Sequence, residues 1–233
     1  MKVSYTSAYY SFLGNLAEVL LLQKLAARRE KADPVKYKDE INVYCRGAIV
    51  LLSAHLEGYL KNLGELTLIS LHAKQTPRNK LVSQFFYHLS KDFIDEIKDT
   101  SDPSKIAKKV FDFLAKDQQY WNVVGPFPNP LPIEQFNKGF AAPKFENIKS
   151  YFNRFGYTEY HTELARQLRA KFAPAKNMVD HLVDTRNKIA HGDPNMSKTP
   201  SDISDMLKLI KLFGRMTDRV FANWSKKNLC AIK

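Results

Sequence analysis

The spacing of the apolar residues is the feature that most restricts the fold of this 233-residue chain. In four long stretches, apolar side chains recur every three or four residues, the period of a helix with one buried face. We predict these helices at about residues 5–31, 33–72, 174–191 and 199–226. No stretch alternates apolar and polar residues for long enough to form a sheet, so the sequence predicts an all-α bundle.

Local sequence signals predict where these helices begin and end. Asp33 and Pro34 are expected to start the second helix as its N-cap and first helical residue, and residues 199–202 (TPSD) to start the last. Gly192 is expected to end the 174–191 helix, because glycine readily takes the left-handed conformation just past a helix end, and Pro194 prevents its continuation. Shorter helices are predicted near residues 81–89, 103–116, 145–154 and 158–172.

Residues 120–144 differ from the rest of the chain because closely spaced prolines exclude a regular helix. Four aromatic residues lie between the prolines: Trp121, Phe127, Phe136 and Phe140. We interpret the segment as a loop that covers the helical core; the alternative is that its aromatics stack on single-stranded bases. The sequence is thus predicted to form a single domain over residues 1–233, with a proline-rich insert at about 73–144 between two halves of the bundle.

Charge and cysteine content restrict the partner and the compartment. Lys and Arg number 36 against 24 for Asp and Glu, a net charge of +12 that favours a polyanion, nucleic acid before membrane. Two cysteines, Cys45 and Cys230, without a CxxC pair indicate a reducing compartment and argue against a zinc site. Neither a signal-peptide pattern nor a bilayer-spanning stretch is evident, so we expect a cytoplasmic protein that is not associated with a membrane.

Residues 186–192, with the sequence RNKIAHG, carry the candidate chemistry. Arg186 falls in the middle of the apolar arc of its helix, where it must meet a carboxylate of its own chain, a partner subunit or an anionic ligand. His191, about one turn later, is the residue type best suited to proton transfer near neutral pH. Together they indicate phosphodiester chemistry. The structural interpretation is that Arg186 forms an internal salt bridge and His191 merely lies near a helix end.

A polar row on the second helix offers a further candidate, Glu57. The row contains Arg46, Ser53 and Glu57 and borders the apolar arc of that helix. Glu57 either pairs with Lys61 in the next turn or faces Arg186 once the two helices pack. Ser53, on the same face, could take the second role instead.

Several other chemistries have no sequence motif here. The chain contains no GxxxxGK, GxGxxG, GxSxG or HExxH motif and no cluster with metal-ligand spacing, so we expect no cofactor and no metal. Acid–base chemistry around His191 remains. RNA suits it because its 2′-hydroxyl is an internal nucleophile that needs only deprotonation and phosphate stabilisation. Such a reaction yields a 2′,3′-cyclic phosphate and a 5′-hydroxyl.

The same residues resemble a known family. RNKIAHG resembles the R-x(4–6)-H motif of HEPN domains, in the RN-x-IAHG form of their ribonuclease branches. Residues 51–59 resemble the early HEPN helix that presents an acidic or polar residue to the motif. Residues 152–157 and the motif helix resemble the RiboL-PSP and related HEPN-nuclease groups of prokaryotic defence and toxin systems. The resemblance covers roughly residues 40–70 and 145–225 and leaves the central insert unmatched.

The resemblance implies an all-α HEPN fold and a homodimer in which both motif helices meet in one positively charged cleft. It implies that His191 transfers the proton, Arg186 stabilises the phosphate and transition state, and Asn187 is a hydrogen-bonding positioner. It also implies that Glu57 orients Arg186 or binds near it. The implied function is a metal-independent endoribonuclease, a toxin or defence effector with a cognate antitoxin or defence-system partner. Two alternatives are a non-catalytic HEPN module that binds RNA or a partner protein, and an accessory subunit or nucleotide-transfer target of a partner enzyme.

Overall fold

The computed structural model describes residues 5–122, 124–193, 196 and 198–233. In this part of the chain there is no strand, and no helix is long and apolar enough to cross a membrane. The predicted all-α fold is confirmed. The α-helices are α1 Ser7–Ala32, α2 Lys38–Ala73, α3 Ser83–Leu89, α4 Lys91–Lys98, α5 Pro103–Trp121, α6 Ile133–Asn137, α7 Phe145–Asn153, α8 Tyr160–Leu168, α9 Phe172–Ala190 and α10 Pro200–Asn228, with short 3-10 helices at Arg78–Lys80 and Arg169–Lys171.

Four long helices, α1, α2, α9 and α10, pack together and enclose most of the core. The helices α1 and α2 run antiparallel, so that Phe12 of α1 stacks on Tyr59 of α2 with ring centroids 5.0 Å apart. The Tyr59 hydroxyl donates a 3.1 Å hydrogen bond to the carbonyl of Gly214, which connects α2 to α10. These contacts make the α1–α2 pair the support against which α9 and α10 are positioned.

The start of the last helix agrees with its sequence signal, whereas the start of α2 does not. The Thr199 hydroxyl accepts a hydrogen bond from the Asp202 amide, and Asp202 in turn accepts from the Thr199 amide, so the predicted cap is confirmed. The prediction that Asp33 caps the second helix is wrong. Its carboxylate accepts from the amides of Val35 and Lys36, at 3.0 and 2.9 Å, and α2 begins at Lys38. The aspartate stabilises a local turn that competes with the helix.

The proline-rich segment packs against the helices and contains one short helix that was not predicted, α6. Phe127, Phe136 and Phe140 are buried, and the Phe136 ring lies 4.7 Å from that of Phe155. These three rings therefore cannot stack on bases, and only Trp121 is substantially exposed. The buried Arg78 holds the start of the segment, since its guanidinium donates to three carbonyls of residues 119–125.

Candidate active site

The end of α9 places the RNKIAHG motif at the surface. Apolar residues of α9 such as Leu182 and Val183 are buried, and the helix ends at Ala190 with His191 as its exposed C-cap. Gly192 takes a φ of +78°, and its amide donates to the Ile189 carbonyl at 3.1 Å. This geometry is a left-handed helix end and confirms the role predicted for Gly192. The predicted effect of Pro194 lies outside the described residues.

Arg186 and Asn187 are joined by a hydrogen bond. The Arg186 side chain is half-buried, and its Nη1 donates to Oδ1 of Asn187 at 3.1 Å. Within the described residues, no carboxylate oxygen lies within 4 Å of the Arg186 guanidinium. The internal salt bridge of the structural interpretation is therefore not seen there. The remaining donors of this guanidinium are free to bind an anion or a partner subunit.

Glu57 is engaged by other groups than Arg186. Its carboxylate pairs with the Lys61 ammonium at 2.7 Å and accepts a 3.3 Å hydrogen bond from the backbone amide of Ala142. The local ion pair, one of the two fates expected from the sequence, is confirmed, and the described residues show no ion pair between Glu57 and Arg186. Ser53 is buried at 2% exposure and does not reach the surface of the site.

The backbone segment that Glu57 contacts also connects to the motif helix. The Phe145 amide, at the start of α7, donates to Oδ1 of Asp180 at 2.8 Å. Lys144 forms a 2.5 Å ion pair with Asp184, which holds the lysine charged and raises its pKa. Asp180 and Asp184 both belong to α9, so residues 142–145 bridge α2 and α9 beside the motif. Glu57 thus reaches α9 through this backbone.

Arg46 is a contributor to the site whose role the sequence did not reveal. From α2, its Nη1 donates to the carbonyl of Asp193 at 3.0 Å and to that of Met196 at 3.5 Å. The acceptors follow directly after the motif. The sequence identified Arg46 only as a member of the polar row, because nothing local links it to a carbonyl 147 residues away. Its contacts attach the loop after His191 to α2.

Two lysines lie near His181, which is on α9 before the motif. Desolvation lowers the pKa of His181, and the nearby Lys198 and Lys188 lower it further, while Asp184 and Asp202 oppose the shift. His181 is therefore neutral near pH 7.

Among the described residues, no group of three His, Cys, Asp or Glu side chains is arranged to hold a metal ion.

Comparison with protein families identifies the fold. The RiboL-PSP-HEPN family model matches residues 16–223. The chain belongs to this family. The resemblance inferred from the RNKIAHG motif is confirmed, whereas the expectation that the central insert is unmatched is wrong, because the matched range includes residues 73–144. Comparisons of this HEPN chain with curated proteins and with solved structures gave no match. HEPN domains generally act on RNA, so membership indicates a nuclease or RNA-related function.

Proposed function

We propose that this HEPN chain is a metal-independent endoribonuclease in which Arg186 and His191 act at the interface of a homodimer. One observation carries the proposal: a half-buried guanidinium without a carboxylate within 4 Å among the described residues lies about one turn from an exposed imidazole. A phosphate is a suitable partner for a guanidinium that has no carboxylate nearby, because its oxygens match the planar donors of arginine. His191, five residues later and exposed, is of the residue type suited to exchange protons near neutral pH.

In the proposed reaction, the 2′-hydroxyl of a nucleotide loses its proton and attacks the adjacent phosphorus. The bond from phosphorus to the 5′-oxygen of the next nucleotide breaks, and that oxygen takes up a proton. His191 transfers protons, and two copies of it in a dimer supply one base and one acid. Arg186 stabilises the charge on the non-bridging oxygens. Asn187, by accepting from Arg186, orients the guanidinium.

The homodimer is supported by an exposed apolar surface on α2. Val43 and Val50 are 66% and 38% exposed and lie two turns apart on one side of the helix. Between them Gly47 has no side chain, and Leu22 of α1 lies 3.4 Å from the position that a Cβ would take. Arg46 lies beside this surface and contacts the loop after the motif. A second copy that packs here would cover the valines and bring two motif ends together.

Glu57 is proposed to act on Arg186 indirectly, through residues 142–145 and α9.

The chain is also proposed to be a toxin or defence effector that a cognate partner controls. The support for this role is the form of the motif, which resembles that of defence and toxin nucleases. His191 and Gly192 are exposed at the C-terminal end of α9, so a partner protein that covers them would silence the activity.

The test is cleavage of RNA in EDTA by the wild type and by Arg186→Ala and His191→Ala. We expect each substitution to reduce cleavage by about 10²–10⁴-fold, with cyclic-phosphate ends on the wild-type products. Arg166→Ala and His161→Ala, at exposed positions of α8, are matched controls that should cleave normally. Cleavage that persists in both motif variants, or that disappears with EDTA, would overturn the assignment. RNA binding without cleavage, unchanged in His191→Ala, would favour the non-catalytic module.

A further inference from the structure

The exposed face of α10 carries a row of basic side chains. Its five members recur at intervals of three, four, four and seven residues, which places them on one side of the helix, and all are exposed. At 1.5 Å per residue, the row is about 27 Å long. The members of this α10 basic row are Lys208, Lys211, Arg215, Arg219 and Lys226.

Few carboxylates of the chain neutralise the α10 basic row. Only Lys208 has a carboxylate partner within the described residues, Asp205 at 2.9 Å. Lys226 lies in the last turn, where positive charge suits the helix dipole. The three central members lack both explanations and repeat at four-residue intervals, an arrangement that destabilises a helix by like-charge repulsion. Folding alone therefore does not account for them.

The helices α1 and α8, which pack against α10, add little negative charge to the row. Beside it on α1, residues 7–17 contain no charged side chain, and the Tyr9 hydroxyl lies 3.5 Å from a carbonyl of the row. The helix α8 and the turn before it contribute Glu159 and Glu163, and Glu163 already accepts a tyrosine hydroxyl at 2.6 Å. Asp218 of α10 itself is buried and bound to the N-terminal end of α1. The row thus presents a positive surface.

The shape of this surface fits the backbone of a nucleic acid better than a membrane. A helix that lies on a bilayer inserts an apolar face, whereas the apolar face of α10 is in the core and none of its large apolar side chains is exposed. An exposed aromatic residue for base stacking is likewise missing from α10. We infer that the α10 basic row binds the phosphodiester backbone of the RNA substrate, outside the active site and without reading bases. The inference rests on the proposed function for the identity of the RNA as substrate.

The experiment measures binding of a single-stranded 2′-O-methyl RNA, which has no free 2′-hydroxyl and cannot be cleaved by this chemistry. The row variant replaces Lys211, Arg215, Arg219 and Lys226 by Gln. The control variant replaces four exposed lysines of α1, α4 and α5 by Gln, with the same change in net charge: Lys24, Lys98, Lys105 and Lys108.

We expect the row variant to bind at least about tenfold more weakly at 0.2 M salt, and the slope of log K against log salt to fall by about 3. The control should stay within about threefold of the wild type, because its lysines meet the RNA only through long-range attraction. Equal losses in both variants, or no loss in the row variant, would overturn the inference. So would a row variant that loses binding to phosphatidylserine vesicles but keeps its affinity for RNA.

Cleavage is measured separately, so the two proposals can fail separately. If the wild type does not cleave RNA but the row variant shows the expected loss of slope, the proposed nuclease fails and the row stands as an RNA-binding surface. If cleavage depends on His191 but the row variant binds RNA normally, the inference that the α10 basic row binds RNA is wrong. Misfolding is tested by thermal unfolding: the row variant should melt close to the wild type, because the removal of like-charge repulsion offsets the loss of Lys226 from the last turn.

Discussion

The guanidinium of Arg46 on α2 donates a 3.0 Å hydrogen bond to the carbonyl of Asp193, two residues beyond His191 at the end of α9. A second bond, at 3.5 Å, reaches the carbonyl of Met196. The backbone just beyond His191 is therefore held by a side chain of another helix as well as by α9. Because a displacement of about 1 Å in a reacting group can cost about 10²-fold in rate, this contact has a functional consequence.

We predict that Arg46→Met reduces RNA cleavage by about tenfold or more. The effect should fall mainly on kcat, since Arg46 holds the backbone after His191 and is not proposed to bind the substrate. Arg46→Lys should recover part of the activity by donating one of the two hydrogen bonds. Arg28→Met, at an exposed site on α1, is the control. An unchanged kcat in Arg46→Met would contradict the positioning role.

Substitutions at two glycines, one in the motif and one outside it, distinguish an effect on stability from an effect on cleavage. Gly192 and Gly139 have φ values of +78° and +75°, and a Cβ at either position would meet nothing within 4 Å. Each substitution by Ala should lower the free energy of unfolding by about 1 kcal/mol, the cost of a left-handed backbone for a residue with a Cβ. Only Gly192→Ala should also reduce cleavage, because its strain falls on His191.

Urea unfolding and RNA cleavage measure the two effects side by side. Gly192→Asn should restore part of both, since asparagine tolerates the left-handed conformation better than alanine. Equal loss of cleavage in Gly139→Ala would show that reduced stability, and not the position of His191, limits the activity.

Structural features that depend on neighbouring residues could be predicted from the sequence. The end of α9 at Gly192 and the cap at Thr199 were predictable because each depends on residues within one turn. The prediction for Asp33 failed because an aspartate carboxylate can accept hydrogen bonds from backbone amides either at a helix cap or in a turn. The local sequence does not distinguish these two structures. The membership of the HEPN family was predictable from a short contiguous motif.

Contacts that depend on how the helices pack were not predictable. The Arg46–Asp193 bond spans 147 residues and ends on a backbone carbonyl, an acceptor that every residue offers. The bond from Ala142 to Glu57 spans 85 residues and likewise ends on the backbone. Neither leaves a pattern of residue types. The roles of Arg186, Asn187, His191 and Glu57 in a reaction stay predictions.

Glu57 offers a test of whether it contacts the substrate or supports the structure. Its carboxylate is engaged by Lys61 and by the Ala142 amide. We expect Glu57→Gln, which keeps an oxygen for that amide, to leave cleavage within about threefold, because an ion pair between residues four apart on a helix contributes little. Glu57→Leu should lower the free energy of unfolding by about 1–3 kcal/mol, since the amide loses its acceptor. A hundredfold loss of cleavage in a normally stable Glu57→Gln would instead assign Glu57 a direct catalytic role.

His88 on α3 should make the fold sensitive to acid. Its ring packs edge-on against Phe136, and burial, followed by the charges of Arg154 and Lys91, lowers its pKa from 6.5 to about 4. Between these two values the unfolded chain binds a proton at this residue and the folded chain does not. The contribution to stability is therefore present at neutral pH and is lost as the pH falls from about 6.5 towards 4.

We predict that His88→Phe, which preserves the aromatic contact, flattens the decline of stability in this window. The measurement is the free energy of unfolding in urea at about pH 7 and about pH 4.5 for the wild type and the variant. His161→Phe, at an exposed position on α8, provides the control and should retain the wild-type decline. A His88→Phe protein that loses as much stability on acidification as the wild type would show that other groups, such as the capping carboxylate of Asp202, dominate the acid response.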